Sequence, residues 1–246
     1  MKKNDLSNLT FLIPFKFDSP ERLDNINIVI KYINSNFKTN IIVYEEYVNR
    51  KFCGDIDNIH YMSAKEDVDY FHRTKIINKM FDCVDTELIS IYDADVLLPT
   101  FTYIKTYNWM SIGLIDVIYP YDMFVDISRS RIKHIIDKNL ENVNVDDLKI
   151  RGTNFYNTFF GGAIFVNSSF YNTCKFDERF KSWGGEDDDF YMRSVIKNAN
   201  ITRISGKLFH LNHFRGKDSK NSHSYYSDNC NLLTETRKKY ILYKGN

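Results

Sequence analysis

Two rhythms of apolar and polar positions alternate along the first hundred residues. Leu9 to Phe15 is a short apolar run that predicts a strand. Asp18 or Ser19 then caps a helix with Pro20 and Glu21 in its first turn, and Leu23, Ile26, Ile30 and Ile33 recur at helical spacing as its buried stripe. Ile41–Tyr44 predicts a second strand, Phe71–Phe81 a helix with Ile76, Ile77 and Met80 inward, and Leu88–Tyr92 a third strand. Short strands alternating with helices predict a parallel, doubly wound sheet. Farther on, Val117–Tyr119 and Ala163–Val166 read as strands, and the stretch 201–209 as one more. Residues 128 to about 149 read as a helical, charge-rich insertion, and another helix runs from the acidic cluster near Glu186 to about Asn198. No repeat and no Pro- or Gly-rich linker divides the chain, so a single α/β domain over residues 1–246 is expected, its mostly parallel central sheet flanked by helices.

Composition narrows the class. Of the 246 residues, 43% are hydrophobic and 26% charged, as in an ordinary soluble protein, and the net charge of +1 offers no electrostatic case for nucleic acid or an anionic membrane. No apolar run is long enough for a spanning helix, and the polar start with Leu9–Phe15 lacks a signal-peptide cleavage site. Cys53, Cys83, Cys174 and Cys230 have no metal-binding or disulfide spacing. The expectation is a reduced, cytoplasmic protein whose contact with a membrane, if any, is peripheral, at the inner face.

The chemistry concentrates in a few short motifs. Trp183-Gly184-Gly185-Glu186-Asp187-Asp188-Asp189 places four adjacent carboxylates on a helix's first turn. The helix dipole eases their repulsion by about 0.3–1 kcal/mol each, so a charged helix start explains the cluster taken alone. Asp93-Ala94-Asp95 closes the Leu88–Tyr92 strand, and ligands of open parallel sheets gather beyond the strands' carboxyl ends. Two carboxylates there can hold a divalent ion against a diphosphate. His210 and His213, three apart, can share a face of a turn and complete that ion's coordination; a mixed imidazole and carboxylate set favours Mn²⁺ over Mg²⁺. Phe160-Gly161-Gly162 permits close ligand approach or a tight turn, and Arg73 and Lys75 near a helix start can meet phosphates or simply face solvent.

In their order, Ile13-Pro14-Phe15, Phe71-x-Arg73-x-Lys75-x-x-Asn78, Asp93-Ala94-Asp95, Phe160-Gly161-Gly162 and the Trp183–Asp189 block resemble the β-1,4-galactosyltransferase family of inverting, metal-dependent GT-A glycosyltransferases. The resemblance spans about residues 10 to 215, with a lesser similarity to bacterial chondroitin-type polymerases around 176–180. It implies a Rossmann-like GT-A fold with a nucleotide-binding half at about 8–100 and an acceptor and catalytic half at about 101–246. It also implies roles. Pro14, Phe15, Phe71 and Arg73 would line the uridine nucleotide and Asp93 the nucleotide-sugar, while Trp183 closes over donor and acceptor. Asp187 would be the general base, with Glu186 beside it; Glu186 and Asp188 hold acceptor hydroxyls, and Phe159 and Gly185 complete the acceptor side. Asp95 and His213 would bind Mn²⁺ or another divalent cation such as Mg²⁺, joined by His210, where animal members commonly have methionine. Phe159 falls where a tyrosine often discriminates galactose from its N-acetylated form.

The implied function is transfer of a hexose, galactose favoured or N-acetylgalactosamine, from a UDP-sugar to a glycan or glycolipid acceptor in polysaccharide biosynthesis. The alternative is a non-catalytic nucleotide-sugar or glycan-binding module on the same fold. A nucleotidyltransferase would want a glycine-rich phosphate loop after the first strand, which Phe15-Lys16-Phe17-Asp18 does not offer.

Overall fold

Strand β1, Asn4–Lys16, lies near the middle of a seven-stranded sheet with Leu9 through Phe15 buried on both faces. The computed structural model describes residues 2–47, 49–52, 59–65, 70–133, 140, 143, 149–153, 159–216 and 222–245. Helix α1, Pro20–Asn36, begins where the Ser19 hydroxyl accepts a hydrogen bond from the Arg22 amide at 3.2 Å. Its stripe of Ile26, Val29, Ile30 and Ile33 is buried against the sheet, while Leu23 at its edge is only partly covered. The chain then passes directly into β2, Phe37–Tyr47, and on to β3, Ile59–Lys65. Strand β3 was not expected: its sequence has no continuous apolar run because it is an edge strand, largely half-buried. Helix α2, Arg73–Phe81, buries Ile76, Ile77 and Met80 and leads to β4, Leu88–Tyr92, as the pattern predicted.

The large sheet continues with β6, Val117–Tyr119, β9, Ala163–Asn167, and β10, Ile201–Arg203. Its order is β10-β6-β9-β4-β1-β2-β3, and every pairing is parallel except those of β9 with β4 and β6. A second sheet of four strands was not foreseen. It joins β5, Val96–Leu97, β7, Met123–Ile127, β8, Lys149–Thr153, and β11, Lys207–Leu211, in the order β5-β11-β7-β8. The single strand expected over 201–209 is therefore two strands in two sheets. The switch falls at 204–206, where the Ile204 amide still binds the Tyr119 carbonyl while the Gly206 carbonyl accepts from Asp122 and Met123.

Among the described residues, the remaining helices are α3, Thr100–Met110, α4, Ser168–Thr173, α5, Glu186–Ile196, and α6, Tyr226–Lys244. Of the insertion expected as helical over 128–149, residues 129–131 form one 3₁₀ turn and Lys149 opens β8; most of the rest lies outside the described residues. Arg129 ties that turn to α1 through Asp24 at 2.6 Å and the Asn25 side chain at 2.7 Å. Among the described residues no helix is long and apolar enough to cross a membrane.

Candidate active site

The carboxyl ends of β1 and β4 open into a cavity of about 850 Å³. Strand β4 delivers Asp93 and Asp95 to it, and the Asp93 amide is fixed by the Gly162 carbonyl at 2.9 Å. The small sheet supplies the rest of one wall. His210 on β11 pairs across from Val96 on β5 and from Asp126 on β7, and the Leu211 amide binds the Asp95 carbonyl at 2.8 Å. His213 Nε2 reaches Asp95 Oδ2 at 3.0 Å, and the His210 ring nitrogen Nδ1 meets Asp126 Oδ1 at 2.8 Å. The histidines thus converge from a strand and the segment just beyond it, rather than from one turn.

Asp95, His210 and His213 each offer one ligand atom, and these atoms lie within 4.8 Å of one another. One carboxylate and two imidazoles, nearly buried, form a donor set that fits a Mn²⁺-type ion. Burial opposes the charge on Asp95, but the His213 hydrogen bond, His210 and Arg22 outweigh it and hold the carboxyl well below the usual range.

The opposite end belongs to α5. Its N-cap is Gly185, in the left-handed region at φ 91°, with no side chain to compete for the helix's first amides. The four carboxylates that follow point in different directions. Asp189 turns inward, 1% exposed, and binds Arg193 at 2.6 Å and the Thr236 hydroxyl of α6 at 2.6 Å. Glu186 is buried and accepts the Gly184 amide at 2.9 Å. Asp187 and Asp188 remain partly open to the cavity. Burial, then the neighbouring Asp187, push Glu186 up to about 7 and Asp188 up to about 6.

Between the two ends stands Arg73, the first residue of α2. Its guanidinium meets Asp93 at 3.0 Å, Asp187 at 3.1 Å and Glu186 at 3.6 Å. Burial alone would weaken its charge, yet Asp187, Asp93 and Glu186 together hold it firmly protonated. The Gly161 backbone packs so closely against Asp187 that a Cβ there would lie 2.4 Å from Oδ2. Arg203 braces the same loop, donating to the Tyr121 and Phe159 carbonyls at 2.8 Å each, and the Tyr121 hydroxyl donates to the Gly161 carbonyl.

Of the residues singled out in sequence, Pro14, Phe71, Arg73, Asp93, Asp95, Phe159, Trp183, Gly185, Glu186, Asp187, Asp188, His210 and His213 all line this cavity. Phe15 does not: its side chain is fully buried in the core near Phe52. Alternation along β1 gives Pro14 one face and Phe15 the other.

Sequence reasoning missed Arg22, Tyr121 and Asp126, and the contribution of α6. Asn229 donates to the Lys181 carbonyl at 2.8 Å and accepts from its amide at 3.2 Å, while His223 donates to the Trp183 carbonyl at 2.7 Å. These bonds clasp the loop that presents Trp183, itself 44% exposed. Only Tyr121 left a signal, since it lies just beyond the carboxyl end of the expected strand Val117–Tyr119.

The unusual acidity of Glu186 has a consequence for stability. Below about pH 4.5 the group is protonated in both folded and unfolded chains; between there and about 7 only the unfolded chain ionises, so folding loses stability as pH rises. Glu186→Gln removes that loss. Thermal melts are expected to show the variant gaining on the unmodified protein between pH 5 and pH 8, by up to about 3 kcal/mol at full expression of the shift. An equal difference at both pH values would contradict a buried, charge-averse Glu186.

Comparisons with known proteins agree with this architecture. Residues 143–217 match the family model described as the N-terminal domain of galactosyltransferase. Among curated proteins no sequence matches. A Drosophila β1,4-galactosyltransferase 7 mutant in complex with manganese, UDP-Gal and xylobiose shares 14% identity, with a TM-score of 0.53 over 92% of this chain and 79% of that one. S. aureus TarS 1–349 in complex with UDP-GlcNAc shares 12% identity, with a TM-score of 0.60 over 93% of this chain and 66% of that one. The catalytic domain of the Drosophila enzyme with xylobiose shares 15% identity over 81% of this chain, at a TM-score of 0.48. The chain spans 64% of that last domain's length. The chain has the fold of the GT-A glycosyltransferases, and its residues 143–217 match the galactosyltransferase family model.

Proposed function

We propose that the chain is an inverting, metal-dependent glycosyltransferase that moves a hexose, galactose in preference to N-acetylgalactosamine, from a UDP-sugar to a hydroxyl of a glycan or glycolipid. One observation carries this reading. A single cavity holds Asp93, Asp95, His210 and His213 at one end and Glu186, Asp187 and Asp188 at the other, with Arg73 bridging them. A divalent ion such as Mn²⁺, held by Asp95, His210 and His213, would neutralise charge on the departing diphosphate.

The chain's own residues orient the reactants and move the proton. Pro14, Phe71 and Arg73 line the nucleotide side, and Asp93, held by Arg73, faces the donor sugar. Asp187 takes the proton from an acceptor hydroxyl as that oxygen bonds to the anomeric carbon and the bond from that carbon to UDP breaks. Attack opposite the leaving group inverts the configuration. Glu186 and Asp188 flank the base and hold acceptor hydroxyls, and Trp183 covers donor and acceptor together. Phe159, packed near Phe124, keeps aromatic bulk beside the donor sugar without a hydroxyl, which supports the preference for galactose.

UDP release from UDP-Gal, UDP-GalNAc, UDP-Glc and UDP-GlcNAc, measured with Mn²⁺ and a panel of sugar acceptors, tests the reading. UDP-Gal is expected to turn over fastest and chelation to stop it. Absence of UDP release from all four donors would set the proposal aside. Gly161→Ala tests the seating of the base. The new methyl meets the Asp187 side chain, which Arg73 also holds, so melting temperature should fall modestly while kcat falls by about 10²-fold from the displaced carboxylate. An unchanged kcat would show that Gly161 does not position Asp187.

A further inference from the structure

Arg22 stands in the first turn of α1, at the cavity wall beside Asp95, with its side chain 14% exposed. Its Nη1 lies 3.8 Å from Asp95 Oδ2 and 4.0 Å from Asp18 Oδ2, both beyond hydrogen-bond length. Its Nε is buried and has no hydrogen-bond partner. An unmade bond from a buried guanidinium is costly, so the fold retains an arginine that its own carboxylates only loosely engage. His213 Nε2 approaches the same Asp95 oxygen at 3.0 Å.

A fixed positive charge therefore borders the three groups that would hold a divalent cation. Asp18 and Asp95 face it, Asp126 lies behind His210, and Arg215 adds a second cation to the wall. Next to an ion site, such a charge opposes the bare ion. It becomes favourable only when an anion with several oxygens bridges the two, and a guanidinium's planar fork suits phosphate oxygens.

We propose that Arg22 is a diphosphate-binding residue that makes metal and nucleotide enter together. It weakens binding of the divalent ion alone and strengthens binding of UDP in the ion's presence. The inference rests on the reading above, in which a UDP-sugar and a divalent ion meet at Asp95.

The two effects have opposite signs, which separates this role from a structural one. Calorimetric titration of Arg22→Gln and Arg22→Lys with Mn²⁺ alone, with UDP plus Mn²⁺, and with uridine provides the test. For the Gln variant, UDP affinity is expected to fall about tenfold, the scale of one lost charge-assisted hydrogen bond, while Mn²⁺ alone binds more tightly and uridine binds as before. The Lys variant keeps the charge but loses the planar fork, so its UDP affinity should fall between those of the unmodified protein and the Gln variant. UDP binding by the Gln variant within twofold of the unmodified protein would overturn the proposal. So would a parallel loss of Mn²⁺, UDP and uridine binding. If the unmodified protein itself binds no UDP, the parent reading fails and the inference with it.

Discussion

Asp187→Asn is expected to abolish sugar transfer, with kcat lower by about 10²–10⁴-fold, the usual worth of a positioned general base. The amide keeps the shape of the carboxylate and an oxygen to accept the Arg73 hydrogen bond at 3.1 Å. UDP binding should therefore survive nearly unchanged, so the loss appears in turnover and not in a titration with UDP and Mn²⁺. Asp189 faces away and is occupied by Arg193 and Thr236. Glu186, raised to about 7, is a substantially protonated group at neutral pH, and Asp188, raised to about 6, lies on the next helical position. Near-normal single-turnover transfer by the Asn variant would remove Asp187 from the role of base.

Arg73→Met is expected to have the largest effect on stability, a loss of about 3 kcal/mol at pH 8, the lower end for breaking a buried ion pair. The lower end applies because the Asp93 side chain is 34% exposed and retains some hydration. Three carboxylates that converge on one guanidinium would be left to repel one another. Part of the loss should return at pH 5, where Glu186 takes up its proton. Urea unfolding at the two pH values measures both terms; a loss under 1 kcal/mol at pH 8 would mean that the carboxylates relax into water without cost.

Much of the large sheet was legible because its strands are short apolar runs set between helices with clear caps. Leu88–Tyr92 and Val117–Tyr119 coincide with the expected strands, and Ser19 caps α1 as its position suggested. The small sheet was not legible, for a physical reason. Strand β5 has two residues, too few to show a period, and its partners lie far off in sequence, where pattern reading cannot reach. Helix α6 escaped notice because its fully buried residues are Asn229 and Thr236, so no apolar stripe marks it. Within the site, the acidic block and the histidine pair were visible as clusters, but not which carboxylate would turn inward. Asp189 was chosen by a hydroxyl 47 residues away.

The small sheet also dictates when the site can exist during synthesis. Its strands are drawn from residues 96–97, 123–127, 149–153 and 207–211, and His213 follows the last of them. A nascent chain emerging from the ribosome presents Asp93 and Asp95 long before either histidine arrives, and the acidic helix only shortly before them. Until β11 slots between β5 and β7, Asp95 has neither imidazole beside it. The order of translation thus delays assembly of the Asp95, His210 and His213 cluster until nearly all the other cavity-lining side chains have been made, and a product cut short before β11 carries the proposed base and Asp95 without either histidine.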